Sequence, residues 1–228
     1  MDEEPGPRGA EGNPDAEGPL AAGPGALAAG RGALVAVPGP LARRLRGEAG
    51  PAGEREYVRL AATADPEELA RALVEPGRPL WARELAAHRL GRAGDRRAFE
   101  PLVLLLNHRD PARCAAAVRA LAELRDPRTP RAAAALATNP LRTAYALYPV
   151  RLLTALRAPE STPALIATLE RLLVPGEPHR PVASACVDGL GRLGDARARP
   201  VLESALRYAG LRAAADDALS RLGAAGAA

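Results

Sequence analysis

The sequence predicts an all-α protein, a right-handed α-solenoid of about five helical hairpins behind a disordered N-terminal segment. Three observations carry that expectation. Hydrophobic residues make up 47% of the chain and aromatics 3%. The apolar content is therefore mostly Ala and Leu, the best helix formers, rather than the β-branched and aromatic residues of a β-sandwich. A leucine-led helix end followed by a polar or glycine turn recurs at near-constant spacing, and a proline recurs in step with it.

Residues 1–53 hold twelve glycines and eight prolines. Such a density opposes regular structure and leaves little apolar surface to offset the entropy of ordering, so a disordered head is expected there. Two pieces of it are candidates for docking on a partner or back onto the body: the apolar string 32–38 and the short basic amphipathic turn 41–46. The folded body is expected over 54–223, with a flexible tail at 224–228.

Within the body, the leading leucines are Leu60, Leu90, Leu121, Leu153, Leu190 and Leu219, at intervals of 30, 31, 32, 37 and 29 residues. Pro101, Pro130, Pro163 and Pro200 follow their leucines by 11, 9, 10 and 10 residues. Proline suits the first turn of a helix, where its missing N–H has no partner to lose. Each period thus reads as helix, tight turn, Pro-led helix, second turn. The first helix of a period puts its apolar residues on one face, as in Ala86, Ala87, Leu90 and Ala93, or Cys186, Val187, Leu190 and Leu193. Two short helices cannot bury those faces alone, so neighbouring hairpins must cover them. Two irregularities stand out. Pro149 falls inside the first helix of the Leu153 period and predicts a kink or a late start there. The 37-residue interval carries the loop 174–181.

All 31 basic residues are arginine, a bias expected from a GC-rich genome, and the net charge is only +4. Cys114 and Cys186, far apart and in Ala-rich helical stretches, read as small core residues of a reduced protein. The N-terminus lacks a basic signal region, and the apolar run 26–37 is too short to span a bilayer. The cytoplasm of a bacterium is the expected location.

No catalytic motif is present: neither a phosphate loop, a Gly-x-Ser-x-Gly elbow nor a His-Glu-x-x-His helix. His88, His108 and His179 have no His or Cys partner at ligand spacing, which predicts neither metal nor cofactor. Asp216 and Asp217 are expected to be solvated beside Arg212 and Arg221. The informative polar feature is a ladder. Two residues before successive leading leucines come His88, Arg119, Arg151, Asp188 and Asp217; two residues after come Arg92, Glu123, Ala155, Arg192 and Arg221. Positions four apart share a helix face, so stacking lines these residues up. The ladder is either a solvated face of i,i+4 pairs or a groove for a charged partner segment. Tyr145 and Tyr148, just before the Pro149 irregularity, are expected to make surface contacts as partner anchors. Trp81 is expected to pack.

The stretch 83–95, Arg-Glu-Leu-Ala-Ala-His-Arg-Leu-Gly-Arg-Ala-Gly-Asp, resembles the HEAT-like repeats of the phycobilisome-lyase type, as do Leu190–Asp195 and Ala198–Leu202. The resemblance spans about 54–223, although the repeat arginine, present at Arg83 and Arg212, is replaced by Cys114, Ala146 and Ala183 in the middle copies. It implies a solenoid whose first helices line the concave side, and a non-enzymatic adaptor binding another protein along that side. Two alternatives follow from the same resemblance: a DNA glycosylase-like nucleic-acid binder, and a non-catalytic lyase subunit. The body interleaves 26 arginines with 20 acids, which disfavours nucleic acid.

Overall fold

A computed structural model describes residues 36–225, and among them every regular element is helical. The eleven α-helices are α1 (Gly39–Ala62), α2 (Pro66–Val74), α3 (Leu80–Arg92), α4 (Phe99–Leu106), α5 (Pro111–Leu124), α6 (Thr129–Thr138), α7 (Leu147–Leu156), α8 (Ser161–Leu172), α9 (Arg180–Leu193), α10 (Arg199–Ala205) and α11 (Arg212–Ala225). Helices α3, α5, α7, α9 and α11 pack side by side in one row. The alternate helices form the second row, packed against the first. This is the stacked-hairpin architecture that the periodicity predicts.

The leading leucines hold that stack together. Leu60, Leu90, Leu121, Leu153 and Leu190 are each fully buried. Burying one such side chain contributes about 1.5–3 kcal/mol. In α11 the register differs: Ala215, Ala218 and Leu222 are buried, while Leu219 is only partly so. Among the described residues α11 packs in its row against α9 alone, so a narrower stripe is covered. Pro101, Pro130, Pro163 and Pro200 all fall within the first three residues of α4, α6, α8 and α10.

One turn chemistry repeats. Asp95, Asp126 and Asp195 each accept a hydrogen bond from the backbone N–H two residues on and pair with that residue's guanidinium, in Arg97, Arg128 and Arg197. The residue before each aspartate is left-handed: Gly94 (φ 78°), Arg125 (φ 51°) and Gly194 (φ 73°). The turn after α7 keeps the left-handed residue, Arg157 (φ 50°), but lacks the aspartate. There the Ser161 hydroxyl accepts from Ala158 N and donates to Leu153 O.

Pro149 acts as predicted. A 3₁₀ stretch, Pro140–Tyr145, precedes α7, which starts only at Leu147 and is ten residues long against fourteen in α5 and α9. Trp81 is buried and meets the Tyr57 ring at 6.3 Å.

The head requires a correction. Residues 39–53 were expected to be disordered, yet they lie in α1, which breaks at Gly50 (φ 60°, ψ −173°) immediately before Pro51. Its two limbs fold against one another: the Tyr57 hydroxyl donates to Ala42 O at 3.1 Å, and Arg46 Nε reaches Glu54 at 3.0 Å. Leu41 and Leu45 are buried. Gly50 and Pro51 sit where the chain reverses, while the Leu41–Arg46 stretch docks on the body. Most of the string 32–38, and residues 1–35 generally, lie outside the described residues, as do 226–228. The tail expected at 224–228 is helical through Ala225.

Candidate interaction face

The first-helix row delivers most of the predicted ladder to one surface. Arg92 Nε of α3 stands 3.5 Å from Glu123 of α5. Asp188 of α9 meets Arg192 one turn on at 3.7 Å and Arg221 of α11 at 3.1 Å. Between these pairs lie Arg119 of α5 and Arg151 of α7, the latter with its guanidinium 5.4 Å from the centre of the Tyr148 ring. Glu123, Arg151, Asp188, Arg192, Asp217 and Arg221 are exposed; Arg92, Arg119 and Tyr148 are half-buried. Ala155, on the rung that carries Arg or Glu in the other helices, is exposed too.

Two expectations fail here. His88 is not on the surface. It is 2% exposed, because the limb 39–49 lies over α3: Pro38 and Leu41 border the same shallow depression as His88, Arg92, Arg119 and Glu123. Tyr145 is exposed, as a surface contact requires, at the end of the 3₁₀ stretch. Its ring stacks under Arg142, 4.6 Å away, whose guanidinium donates to Asn107 O and Oδ1 at the end of α4. Asp216 and Asp217 are exposed, but Arg212 donates to Leu206 O and Arg221 crosses to Asp188 instead of pairing with them.

His88 instead borders a polar cluster that the sequence did not disclose. Glu84, 1% exposed, is gripped by the guanidiniums of Arg44 from α1 and Arg113 from α5. Arg44 also reaches Glu48 at 2.8 Å, and Arg113 reaches Glu48 at 2.5 Å and Asp110 at 3.3 Å. His88 Nε2 stands 3.8 Å from Glu84. Burial opposes ionisation of Glu84, yet His88 and the guanidiniums of Arg44 and Arg113 outweigh it and hold the carboxyl below its usual 4.5. The cluster ties α1, α3 and α5 together and is closed by its own charges. Arg89 serves similarly, donating to Leu60 O and Thr63 O, both at 2.7 Å, at the end of α1. A usable signal existed: Glu84 precedes His88 by one helical turn on the apolar side of α3, where an unpaired carboxylate could not remain.

The cysteines are core residues. Burial pushes the Cys186 thiol up to about 12 and the Cys114 thiol up to about 11. Among the described residues no group of three or more His, Cys, Asp or Glu is placed to hold a metal ion, and no helix is long and apolar enough to cross a membrane. The long interval forms a cavity of about 300 Å³ between its loop and the turn before α11, lined by Leu172, Val174, Arg180, Tyr208 and Leu211. The Tyr208 hydroxyl donates to Leu173 O, closing one wall.

The fold and this face define a helical-repeat protein, an α-solenoid whose first helices present a continuous charged surface. Residues 182–208, covering most of α9 and all of α10, match the PBS lyase HEAT-like repeat. That segment is a HEAT-like repeat, and among the described residues helical hairpins of similar design are stacked before it, with α11 following. No curated protein matches the sequence significantly.

Proposed function

We propose that this chain is a non-catalytic scaffold of the bacterial cytoplasm that binds another protein along the exposed face of its first-helix row. HEAT-like repeats commonly serve as interaction scaffolds, and an extended face assembled from successive repeats suits that use. One observation carries the reading: α5, α7, α9 and α11 deliver charged and aromatic side chains to one side in matching register, and these side chains remain accessible. A face built only of i,i+4 pairs would match each charge within its own helix. Here both ends close, through Arg92–Glu123 and Asp188–Arg221, while Arg151 in the centre meets a tyrosine ring.

The test is co-purification from the native host with the full chain and with an Arg119→Glu/Arg151→Glu variant. A partner recovered with the first and lost with the second, while circular dichroism stays helical, supports the reading. A partner retained by the folded variant removes this face from consideration.

A further inference from the structure

Six of the seven large apolar side chains that the described residues leave exposed belong to one edge of the stack. That edge is made of the connections that lead from each second-row helix to the next first-row helix. The connections are bonded in series: Arg142 donates to Asn107 O, Arg171 to Thr143 Oγ1 at 2.5 Å, and the Tyr208 hydroxyl to Leu173 O. Glu84 and Arg113 pair near the starts of α3 and α5, which puts the turn 75–79 on the same edge. Val74 and Leu80 flank that turn, Leu104 lies in the last turn of α4, Leu141 and Tyr145 in the 3₁₀ stretch, and Val174 just after α8. We infer that this edge docks the chain on a bilayer surface containing anionic lipid.

The distribution of the apolar groups supplies the first reason. Single exposed leucines are ordinary on any surface, but confinement to one edge calls for a cause. Leu141 is 90% exposed, Val74 79% and Leu104 73%. Packed helix axes lie about 8–10 Å apart, so side chains of successive connections stand apart and line no common groove. Each needs its own apolar contact, which the acyl boundary of a bilayer offers to all of them at once. The opposite edge, over 59–69, 89–102, 121–132, 153–164 and 190–202, exposes no large apolar side chain. It is tied instead by ion pairs such as Arg97–Glu67 at 2.9 Å and Arg131–Glu160 at 3.7 Å.

Charge supplies the second reason. With one helical turn on each side, the five connections cover 71–83, 103–114, 135–150, 169–183 and 202–215 and hold ten arginines against five acids. Glu75 is held by Arg78 at 2.6 Å, Asp110 pairs with Arg113 at 3.3 Å, and Glu177 accepts from His179 N. Glu170 and Glu203 sit on α8 and α10, back from the connections. Arg109, Arg180 and Arg207 lie in or beside the connections, are exposed, and meet no carboxylate among the described residues. An arginine lays its stem along apolar surface and keeps its head at phosphate depth, so these three complement anionic headgroups. Tyr145, its ring 4.6 Å from the Arg142 guanidinium, has the amphipathic character that suits the same boundary.

Orientation agrees with both. The edge lies at the ends of the helices and the charged face along their sides, so a docked chain keeps that face open.

Co-sedimentation of the full chain with vesicles tests this, using phosphatidylcholine alone and phosphatidylcholine with about one-third phosphatidylglycerol. The anionic vesicles should bind at least about tenfold more tightly, and the preference should shrink as salt is raised. Leu104→Ser with Leu141→Ser should weaken binding about tenfold or more with circular dichroism and melting temperature held, since both side chains are exposed. Arg180→Gln with Arg207→Gln should also cost about tenfold or more. Arg131→Gln with Arg199→Gln, the same charge loss on the opposite edge, should cost less than about threefold. No preference for the anionic vesicles, full binding by the folded leucine variant, or equal losses in the two arginine pairs would overturn the proposal. So would a protein partner that the leucine variant loses while vesicles go unbound, which would assign the edge to that protein.

Discussion

Gly191 of α9 lies directly against Ala218 of α11: a β-carbon at position 191 would stand 2.8 Å from both the Cα and the Cβ of Ala218. The last hairpin can dock only because that side chain is missing. Gly191→Ala should therefore destabilise the chain despite alanine's better helix propensity, worth about 1 kcal/mol. Overpacking costs about 1–3 kcal/mol, and here the obstacle is backbone, which moves only if all of α11 moves. Gly91 makes the control. Its added β-carbon would meet the Leu102 side-chain tip at 2.9 Å, which can rotate away. Gly91→Ala should be near neutral in urea unfolding, and Gly191→Ala lower in midpoint. Equal midpoints would refute the close-approach account.

The first-row helices α3, α5, α7 and α9 each give way to a left-handed residue, two of them glycine and two arginine, and the arginines should respond differently to replacement. A left-handed conformation costs a non-glycine residue about 1–2 kcal/mol. Arg125→Gly should accordingly raise stability by up to about 1 kcal/mol, since the side chain is exposed. Arg157→Gly should gain little or lose. Its guanidinium donates to Arg192 O at 2.8 Å and Leu193 O at 3.3 Å, capping the end of α9. Thermal melting of the two variants beside the parent reads the contrast.

The same turns show how much was legible in the sequence. The helices, their periodic leucines and the first-turn prolines are local patterns, and the structure reproduces them. The Asp-x-Arg triplets at 95–97, 126–128 and 195–197 were visible too, as a repeat in phase with the leucines. His88 was misplaced because its exposure depends on what covers α3, and the cover is a limb whose glycine and proline content reads as disorder. Glu84 was missed for a related reason. Its partners lie 40 residues back and 29 ahead, and no short-range pattern links Arg44 to Arg113.

Acid should loosen the repeats through those aspartates. The Asp195 carboxyl is held down to about 2, chiefly by the hydrogen bond from Arg197, and Asp95 and Asp126 are lowered by Arg97 and Arg128 in the same way. A carboxyl lowered on folding stabilises the folded state fully above its unfolded value, ordinarily 3.8 for aspartate. That contribution fades as the pH falls below it, and is gone beneath the folded value of about 2. Stability should therefore fall steeply between about pH 4 and pH 2. Asp195→Asn keeps an N-cap acceptor but does not titrate, so it should flatten the slope while costing stability at neutral pH. An unchanged acid slope in Asp195→Asn, followed by circular dichroism, would contradict this assignment.

Glu84 offers the sharpest separation of structural from functional charge. Removing one partner of a buried ion pair costs about 3–5 kcal/mol because the remaining charges are stranded, whereas replacing the whole group with apolar residues is often neutral. Glu84→Ala leaves Arg44 and Arg113 facing one another with only the part-exposed Glu48 and Asp110 to balance them. It should destabilise strongly, and the damage should begin in the limb 39–49, which Arg44 and Glu48 pin to α3 and α5. Hydrogen exchange of that limb should accelerate in Glu84→Ala while α9 and α11 stay protected. Combining Glu84→Leu with Arg44→Met and Arg113→Met should recover most of the lost stability, since Glu48 and Asp110 can then turn to water. The triple variant keeps that limb docked and leaves Arg119 and Arg151 in place, so it should still bind whatever the first-helix face binds. If Glu84→Ala unfolds in urea within about 0.5 kcal/mol of the parent, the range left to surface substitutions, the cluster is not what fixes α1 to the stack.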